Sequence, residues 1–190
     1  MTGTYRYDVE VLHLLVSPEH AYFGRARDGA AAVPTTDADR AELVAGKGVV
    51  GDRFFGKAAH MDAAVTLLAV EALEAMAAEL GAAPFDPLLA RRNVVLRGAQ
   101  LAPLLGEEFA LESRGALVEL RGGRPAHPCA WMDRVLAPGA HAAMRGRGGL
   151  RCRPLTTGVL HRGPAVLHSP VPLEPDRAGE AVLRRPERLP

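Results

Sequence analysis

The sequence predicts a mostly β (α+β) fold, a barrel or a sandwich to which a few peripheral helices are added. Seven or eight short apolar stretches at irregular spacing have the composition of strands, and glycine- and proline-rich turns separate them. Only residues 70–80 repeat their apolar side chains with the clear period of an amphipathic helix. A chain of 190 residues is long enough to bury a core. We therefore expect one domain over residues 1–168 and a proline-rich, partly ordered tail over residues 169–190.

Charge and composition argue against several classes of protein. The net charge is +1, which does not predict binding to nucleic acid or to a membrane surface. No apolar run approaches the roughly 18 residues that span a bilayer, and the first residues lack the pattern of a secretory signal. Two cysteines do not make a disulfide framework. We expect a cytoplasmic protein with both thiols reduced.

The first half of the chain is predicted to form two strands and the main helix. Residues 9–16 are an apolar run that a Ser-Pro pair ends, as in a strand. Residues 24–46 are rich in glycine, alanine and charged residues and predict a long surface loop or short helical turns. Residues 65–68 are predicted to be extended, and the helix behind them ends at Gly81.

The second half is predicted to contain most of the strands. Residues 107–111 and 116–120 flank a glycine-containing loop, which is typical of a hairpin. Residues 121–125 predict a turn. The other predicted strands are residues 94–97, 150–156 and 158–166.

Two basic or acid–base motifs are candidates for ligand binding. Asp52 and Arg53 lie within a glycine-framed segment, and glycine lets a backbone approach a ligand closely. Arg91, Arg92 and Asn93 precede a strand, where two guanidinium groups and an amide would clamp a phosphate or carboxylate. The alternatives are a tight turn with a surface ion pair and a solvated basic loop.

A third motif, at residues 145–150, combines glycines with arginines. It contains Arg147, Gly148 and Gly149. Successive backbone N–H groups in such a loop form an anion-binding nest in many proteins. One copy between structured elements does not indicate a disordered nucleic-acid-binding segment.

The segment of residues 127–133 carries the candidate catalytic groups. Pro128 suits the first turn of a helix, so Cys129 is predicted where a loop becomes a helix and where a thiolate is stabilised. His127 would shuttle a proton, and Asp133 would share a helical face with the thiol. The alternatives are a buried structural cysteine, a surface histidine and an exposed helix acid.

Other chemistries of these residues are not favoured. A zinc site of Cys129, His127 and His60 lacks the paired Cys/His spacing of such sites. A cysteine–histidine hydrolase lacks an identifiable orienting residue. Cys152 lies in a predicted strand, where core packing is expected.

The order of these pieces resembles the MOSC domain, named for the C-terminal domain of molybdenum-cofactor sulfurase. The resemblance covers about residues 9–167. The residues that carry it are Gly51-Asp52-Arg53-Phe54-Phe55-Gly56, Val65-Thr66-Leu67-Leu68 with the helix behind it, Arg91-Arg92-Asn93-Val94-Val95, Pro128-Cys129 and Arg147-Gly148-Gly149-Leu150.

The resemblance implies a MOSC-type β-barrel in which Cys129 is the signature cysteine. In sulfurase-type members this cysteine is proposed to carry sulfur as a persulfide, and in amidoxime-reducing members it is a ligand of molybdenum in bound molybdopterin. The resemblance implies molybdenum cofactor as the one possible cofactor, and we expect no haem, flavin or zinc. The candidate cofactor-binding residues are Asp52, Arg53, Arg91, Arg92, Asn93, Arg147, Gly148 and Gly149.

Two classes of function follow from the resemblance. The first is an enzyme that uses Cys129 for sulfur transfer or for reduction of N-hydroxylated substrates. The second is a non-catalytic module that binds or carries the cofactor. We expect a single-domain member with no second domain for reduction, so its partners would be a small-molecule substrate or sulfur donor protein, with a separate reductase or cysteine desulfurase.

Overall fold

Seven strands close a mixed β-barrel, which confirms the predicted fold class. The computed structural model describes residues 5–181. Around the barrel the order is β1-β11-β7-β8-β9-β5-β6, and β6 returns to β1. A smaller sheet has the order β10-β3-β4. The strands are β1 (Tyr5–Val16), β2 (Thr36–Asp37), β3 (Arg40–Val44), β4 (Gly48–Val49), β5 (Val65–Ala69), β6 (Val94–Arg97), β7 (Glu108–Ser113), β8 (Ala116–Pro125), β9 (Leu150–Pro154), β10 (Gly158–His161) and β11 (Gly163–Ser169).

Helices are few and short. The helix α1 (Val70–Leu80) ends at Gly81 in the left-handed conformation, as predicted. It connects β5 to β6, which pair in parallel and therefore need a crossover. The other helices are α2 (Met132–Val135) and α3 (Ala140–Ala143), and short 3-10 turns lie at Ala26–Asp28, Ala58–Ala63, Pro87–Ala90, Ala102–Leu104 and Pro175–Arg177.

Strand β5 separates two apolar cores. Leu67 belongs to the cluster inside the barrel, while its neighbour Leu68 packs with the cluster around α1. This alternation follows from the two-residue period of a strand. Both faces are buried, which explains why the sequence of β5 is a continuous apolar run. The second cluster also contains Trp131 and Met132, so it supports the segment that carries Cys129.

Three local predictions are wrong. Residues 40–44 form β3 rather than a loop, because they pair with β10 and β4. Residues 121–125 continue β8 instead of turning, with an irregularity between Gly122 and Arg124. Residues 158–166 are divided at Arg162, just before the positive-φ Gly163, so that β10 and β11 join different sheets.

The described part of the predicted tail is packed on the barrel. Leu173 and Ala178 are buried in the barrel core. Residues 182–190 lie outside the described residues, and the boundary at residue 168 stays a prediction. Over the described range, no helix has the length and apolar character needed to cross a bilayer.

Candidate functional site

A cavity of about 280 Å³ collects residues from five separate parts of the chain. We call it the thiol pocket. It contains an exposed cysteine, four arginines, two histidines and two aromatic rings. Its lining consists of His20, Tyr22, Arg53, Ala90, Arg91, Arg92, His127, Pro128, Cys129, Trp131, Met132 and Arg151.

Cys129 lies on a non-helical segment after β8. Its carbonyl oxygen accepts a hydrogen bond from the Met132 N–H at 3.0 Å, and α2 begins only at Met132. The predicted helix start at Pro128 is therefore wrong. The helix α2 has only four residues, so we assign its dipole no part in stabilising a thiolate at Cys129. Cys129 is exposed and lines the pocket. The charged groups that share this cavity with it are the four arginines.

The four guanidinium groups make the thiol pocket strongly cationic. Among the described residues that line it, none is acidic. The Nε atoms of Arg53, Arg91 and Arg151 are buried and have no hydrogen-bond acceptor. Burial lowers the pKa of all four arginines, that of Arg92 to about 10, which leaves Arg92 protonated at neutral pH. Such a pocket favours an anion, which guanidinium groups bind through their charge and their N–H donors.

Arg92 fastens two of the surrounding segments. Its Nε donates to the Gly148 carbonyl oxygen at 2.7 Å, and one Nη donates to the His127 carbonyl oxygen at 3.3 Å. The side chain thereby links the glycine loop to the segment that carries Cys129. These bonds use only part of the guanidinium, which has five N–H donors.

Arg91 holds the segment of residues 17–35 against the pocket. It donates to Ser17 Oγ at 2.8 Å and to the Glu19 carbonyl oxygen at 3.0 Å. Its guanidinium also lies 5.7 Å from the centroid of the Tyr22 ring. Arg91 adopts a left-handed φ of 52°, an uncommon conformation that these contacts stabilise.

Asp52 and Asn93 lie behind the pocket and position its wall. The buried Asp52 carboxylate accepts from Arg53 Nη1 at 3.3 Å and from Asn93 Nδ2 at 3.1 Å. Asn93 Oδ1 accepts from the backbone N–H and the hydroxyl of Thr66. The predicted pair Asp52–Arg53 is thus a buried ion pair, and only Arg53 reaches the cavity.

The glycine loop does not bring its arginine to the pocket. Arg147 donates to Glu79 on α1 at 2.6 Å. A Cβ on Gly148 would lie 1.9 Å from the Ala126 carbonyl oxygen, and one on Gly149 would lie 1.9 Å from the Leu67 carbonyl oxygen. These two glycines therefore permit the loop to pack closely against the backbone at Ala126 and at Leu67. Arg147, Gly148 and Gly149 do not line the cavity.

Of the two predicted partners of Cys129, the structure brings one to the pocket. His127 lines the cavity and is exposed. Asp133 does not line it, because the chain between the two residues is not a continuous helix. Its Oδ1 accepts from the His141 backbone N–H at 2.7 Å and thereby supports α3.

Sequence reasoning missed four polar or aromatic lining residues: His20, Tyr22, Trp131 and Arg151. The Tyr22 and Trp131 rings are stacked, with centroids 5.4 Å apart and planes at 17°. Burial and the nearby Arg53 and Arg91 lower the pKa of His20, so its neutral form is favoured. The alternation of side chains in β9 could have predicted that Arg151 points outward, since Cys152 faces the core. The sequence around His20 and Tyr22 contains no pattern that predicts their place in the pocket.

Comparison with known proteins agrees with the barrel fold. The profile of the MOSC domain matches residues 47–167. A search of curated proteins finds no match. The crystal structure of the YuaD protein from Bacillus subtilis is similar, with a TM-score of 0.66 and 18% identity over 87% of this chain and 98% of that one.

The YiiM proteins share the fold as well. YiiM from Geobacillus stearothermophilus has a TM-score of 0.58 and 15% identity over 92% of this chain and 80% of that one. YiiM from Escherichia coli has a TM-score of 0.55 and 17% identity over 92% and 76%. Because the profile covers more than half of the sequence and most of the barrel, the chain belongs to the MOSC domain family.

Proposed function

We propose that this MOSC-domain protein binds molybdenum cofactor in the thiol pocket and reduces N-hydroxylated substrates with electrons from a separate reductase. Cys129 is the proposed protein ligand of molybdenum. The observation that supports the proposal most is that one cavity combines an exposed thiol with four guanidinium groups and has no acid in its described lining.

The donor groups suit this cofactor. Molybdopterin supplies sulfur ligands of its own, so one soft protein thiolate is enough to complete the attachment. In the described part of the chain no group of three His, Cys, Asp or Glu side chains is placed to hold a metal ion by itself. The guanidinium groups of Arg53, Arg91, Arg92 and Arg151, which line the pocket, are the proposed donors for the phosphate of the pterin.

The two histidines that line the pocket have distinct roles in the proposed reaction. When bound, the cofactor supplies the two-electron redox centre. Reduction of an N-hydroxyl group to an amine consumes two electrons and two protons and releases water. The exposed His127 exchanges protons with solvent beside the thiol, and the neutral form of His20 accepts and returns a proton inside the pocket.

A second candidate function is sulfur transfer, which the exposure of Cys129 favours. The Cys129 thiolate would attack the outer sulfur of a persulfide on a cysteine desulfurase. The bond within the donor persulfide breaks, the donor leaves as a thiolate, and Cys129 becomes the persulfide. The surrounding guanidinium groups stabilise that anion. A non-catalytic cofactor carrier would have the same pocket but no turnover.

Metal analysis by mass spectrometry tests these alternatives. We would compare wild type, Cys129→Ser and Cys152→Ala, all made in a molybdenum-replete host. The proposal expects equimolar molybdenum in wild type and in Cys152→Ala and its loss in Cys129→Ser, and turnover with a reductase then separates the enzyme from a carrier. Protein without molybdenum in any variant overturns the proposal, and a mass gain of one sulfur atom on Cys129 after treatment with a desulfurase supports sulfur transfer.

A further inference from the structure

A second cavity, larger and more open than the thiol pocket, lies outside β8 and β9. We call it the arginine groove, and its volume is about 570 Å³. The 3-10 turn Ala58–Ala63 forms its other side. The lining residues are Ala58, Ala59, Met61, Asp62, Gly106, Arg121, Gly122, Gly123, Arg124 and Arg153.

The groove is built on two pairs of opposed arginines. In the β8–β9 register Arg121 lies opposite Arg153, and Arg124 lies opposite Arg151. Cys152, between Arg151 and Arg153, is buried in the barrel core, so the two arginines project outward. Like charges directly opposite each other on a sheet are destabilising. Two such pairs in succession indicate a surface built to receive an anion.

The neighbouring carboxylates do not neutralise this surface. Arg121 contacts Glu108 at 3.4 Å, and Arg153 is 3.9 Å from Asp62. Arg124 and Arg151 have no ion pair with any described residue, and Arg151 also keeps a buried, unpaired Nε. The charge of Arg124 is therefore left for a ligand in the groove, and that of Arg151 is left at the adjoining edge of the thiol pocket.

Arg151 connects the groove to the thiol pocket. It lines the pocket, while its cross-strand partner Arg124 lines the groove. Arg151 and Arg153 are two residues apart on one face, about 7 Å along the strand. An anion bound at Arg124 in the groove is therefore one cross-strand pair away from Arg151 at the thiol pocket.

Two glycines allow the backbone beneath the arginines to pack closely against neighbouring segments. A Cβ on Gly122 would lie 2.1 Å from the Leu104 carbonyl oxygen, and one on Gly123 would lie 2.9 Å from the Asp62 carbonyl oxygen. The irregular register at Gly123 re-aims Arg124 so that it faces Arg151. Bulges of this kind are over-represented next to active sites.

We propose that the arginine groove is a second anion site, which binds the phosphate of a nucleotide next to the thiol pocket. The nucleotide is either free or an extension of the ligand held in the thiol pocket. The groove binds it through guanidinium–phosphate contacts and requires no reaction at Cys129. This site goes beyond the proposed redox function, and only its occupation by an extension of the cofactor rests on that function.

Calorimetric titration with guanosine monophosphate and inorganic pyrophosphate tests the site. Wild type, Arg124→Gln and Arg124→Gln/Arg153→Gln would be compared with Arg40→Gln, which removes an exposed arginine from β3. We expect about tenfold weaker binding on loss of Arg124, a further loss in the double variant, and wild-type affinity for Arg40→Gln. Circular dichroism confirms that each variant is folded.

The source of the nucleotide is resolved by extraction. Cofactor released from denatured protein would be examined by mass spectrometry for an attached nucleotide. Binding of the free probes alone assigns the groove to a free nucleotide, and an attached nucleotide assigns it to a cofactor extension. Equal affinities for Arg124→Gln and Arg40→Gln, or no binding by wild type together with a cofactor that lacks a nucleotide, overturn the site. Loss of molybdenum binding with nucleotide binding intact overturns only the redox proposal.

Discussion

The two cysteines of the chain differ in their exposure and in their surroundings. Cys129 is exposed and shares a cavity with four guanidinium groups. Cys152 is fully buried between barrel strands, and burial raises the pKa of its thiol. The thiolate is the nucleophile, so only the first residue is available for reaction or metal binding.

Alkylation of the native protein should therefore modify a single site. We expect iodoacetamide to label Cys129 in the folded protein and Cys152 only after denaturation, with peptide mass spectrometry as the measurement. Cys129→Ser serves as the control and should remain unlabelled while folded. Labelling of Cys152 at a comparable rate in native protein would contradict the described packing.

The glycine loop shows how single residues set the geometry of whole elements. Gly149 and Gly106 both have a positive φ, 95° and 86°. A Cβ on Gly149 would lie 1.9 Å from the Leu67 carbonyl oxygen on β5, whereas a Cβ on Gly106 would meet nothing within 4 Å. The loop after α3 can approach the backbone of β5 this closely only because residue 149 has no side chain.

These two glycines provide a matched pair of substitutions. Gly106→Ala should cost about 1–2 kcal/mol of unfolding free energy, from the left-handed conformation alone. Gly149→Ala adds a backbone clash and should cost clearly more, about 3–5 kcal/mol. Urea unfolding followed by circular dichroism measures both, and equal losses would show that the crossing is not tightly packed.

The elements that sequence predicts best are those whose pattern is local. The helix α1 shows its own period, and β5 and β6 are apolar runs. The strand β3 also alternates, with Ala41 and Leu43 buried, but its partner β10 is far away in sequence, and the surrounding loop composition hides it. In β8 the Gly-Gly pair has the composition of a turn, yet tertiary packing keeps it extended.

The same distinction applies to the site. Arg91, Arg92 and Cys129 are contiguous with recognisable motifs, and the structure places all three at the pocket. Asn93 and Asp52 are adjacent in sequence to lining residues but are turned inward to bond with each other. Which neighbour faces the cavity depends on strand register and long-range contacts, and these are absent from a linear motif.

At the scale of the whole molecule, the barrel closes through its first and last strands. In this seam Tyr5 pairs with Ser169, and Val11 pairs with Gly163. The barrel cannot close until β1 pairs with β11. This pairing joins residues from nearly opposite ends of the described chain. Loop-closure entropy has to be overcome before such contacts contribute stability.

Refolding should accordingly be slow. We expect it to take from milliseconds to seconds after dilution from denaturant, as in other folds dominated by distant strand pairings. Stopped-flow circular dichroism measures the rate, and interrupted unfolding separates proline isomerisation, which takes tens of seconds. Complete recovery of β structure within microseconds would contradict a seam that forms between distant strands.

The tryptophan at the pocket is an intrinsic fluorophore that reports on the candidate site. Trp131 is its only tryptophan, it is packed face to face with Tyr22, and both line the cavity that holds Cys129. All indole emission therefore originates at one wall of the candidate site. A ligand, a metal or an added sulfur atom beside that wall changes the surroundings of a single fluorophore, so occupancy can be followed in the unlabelled protein.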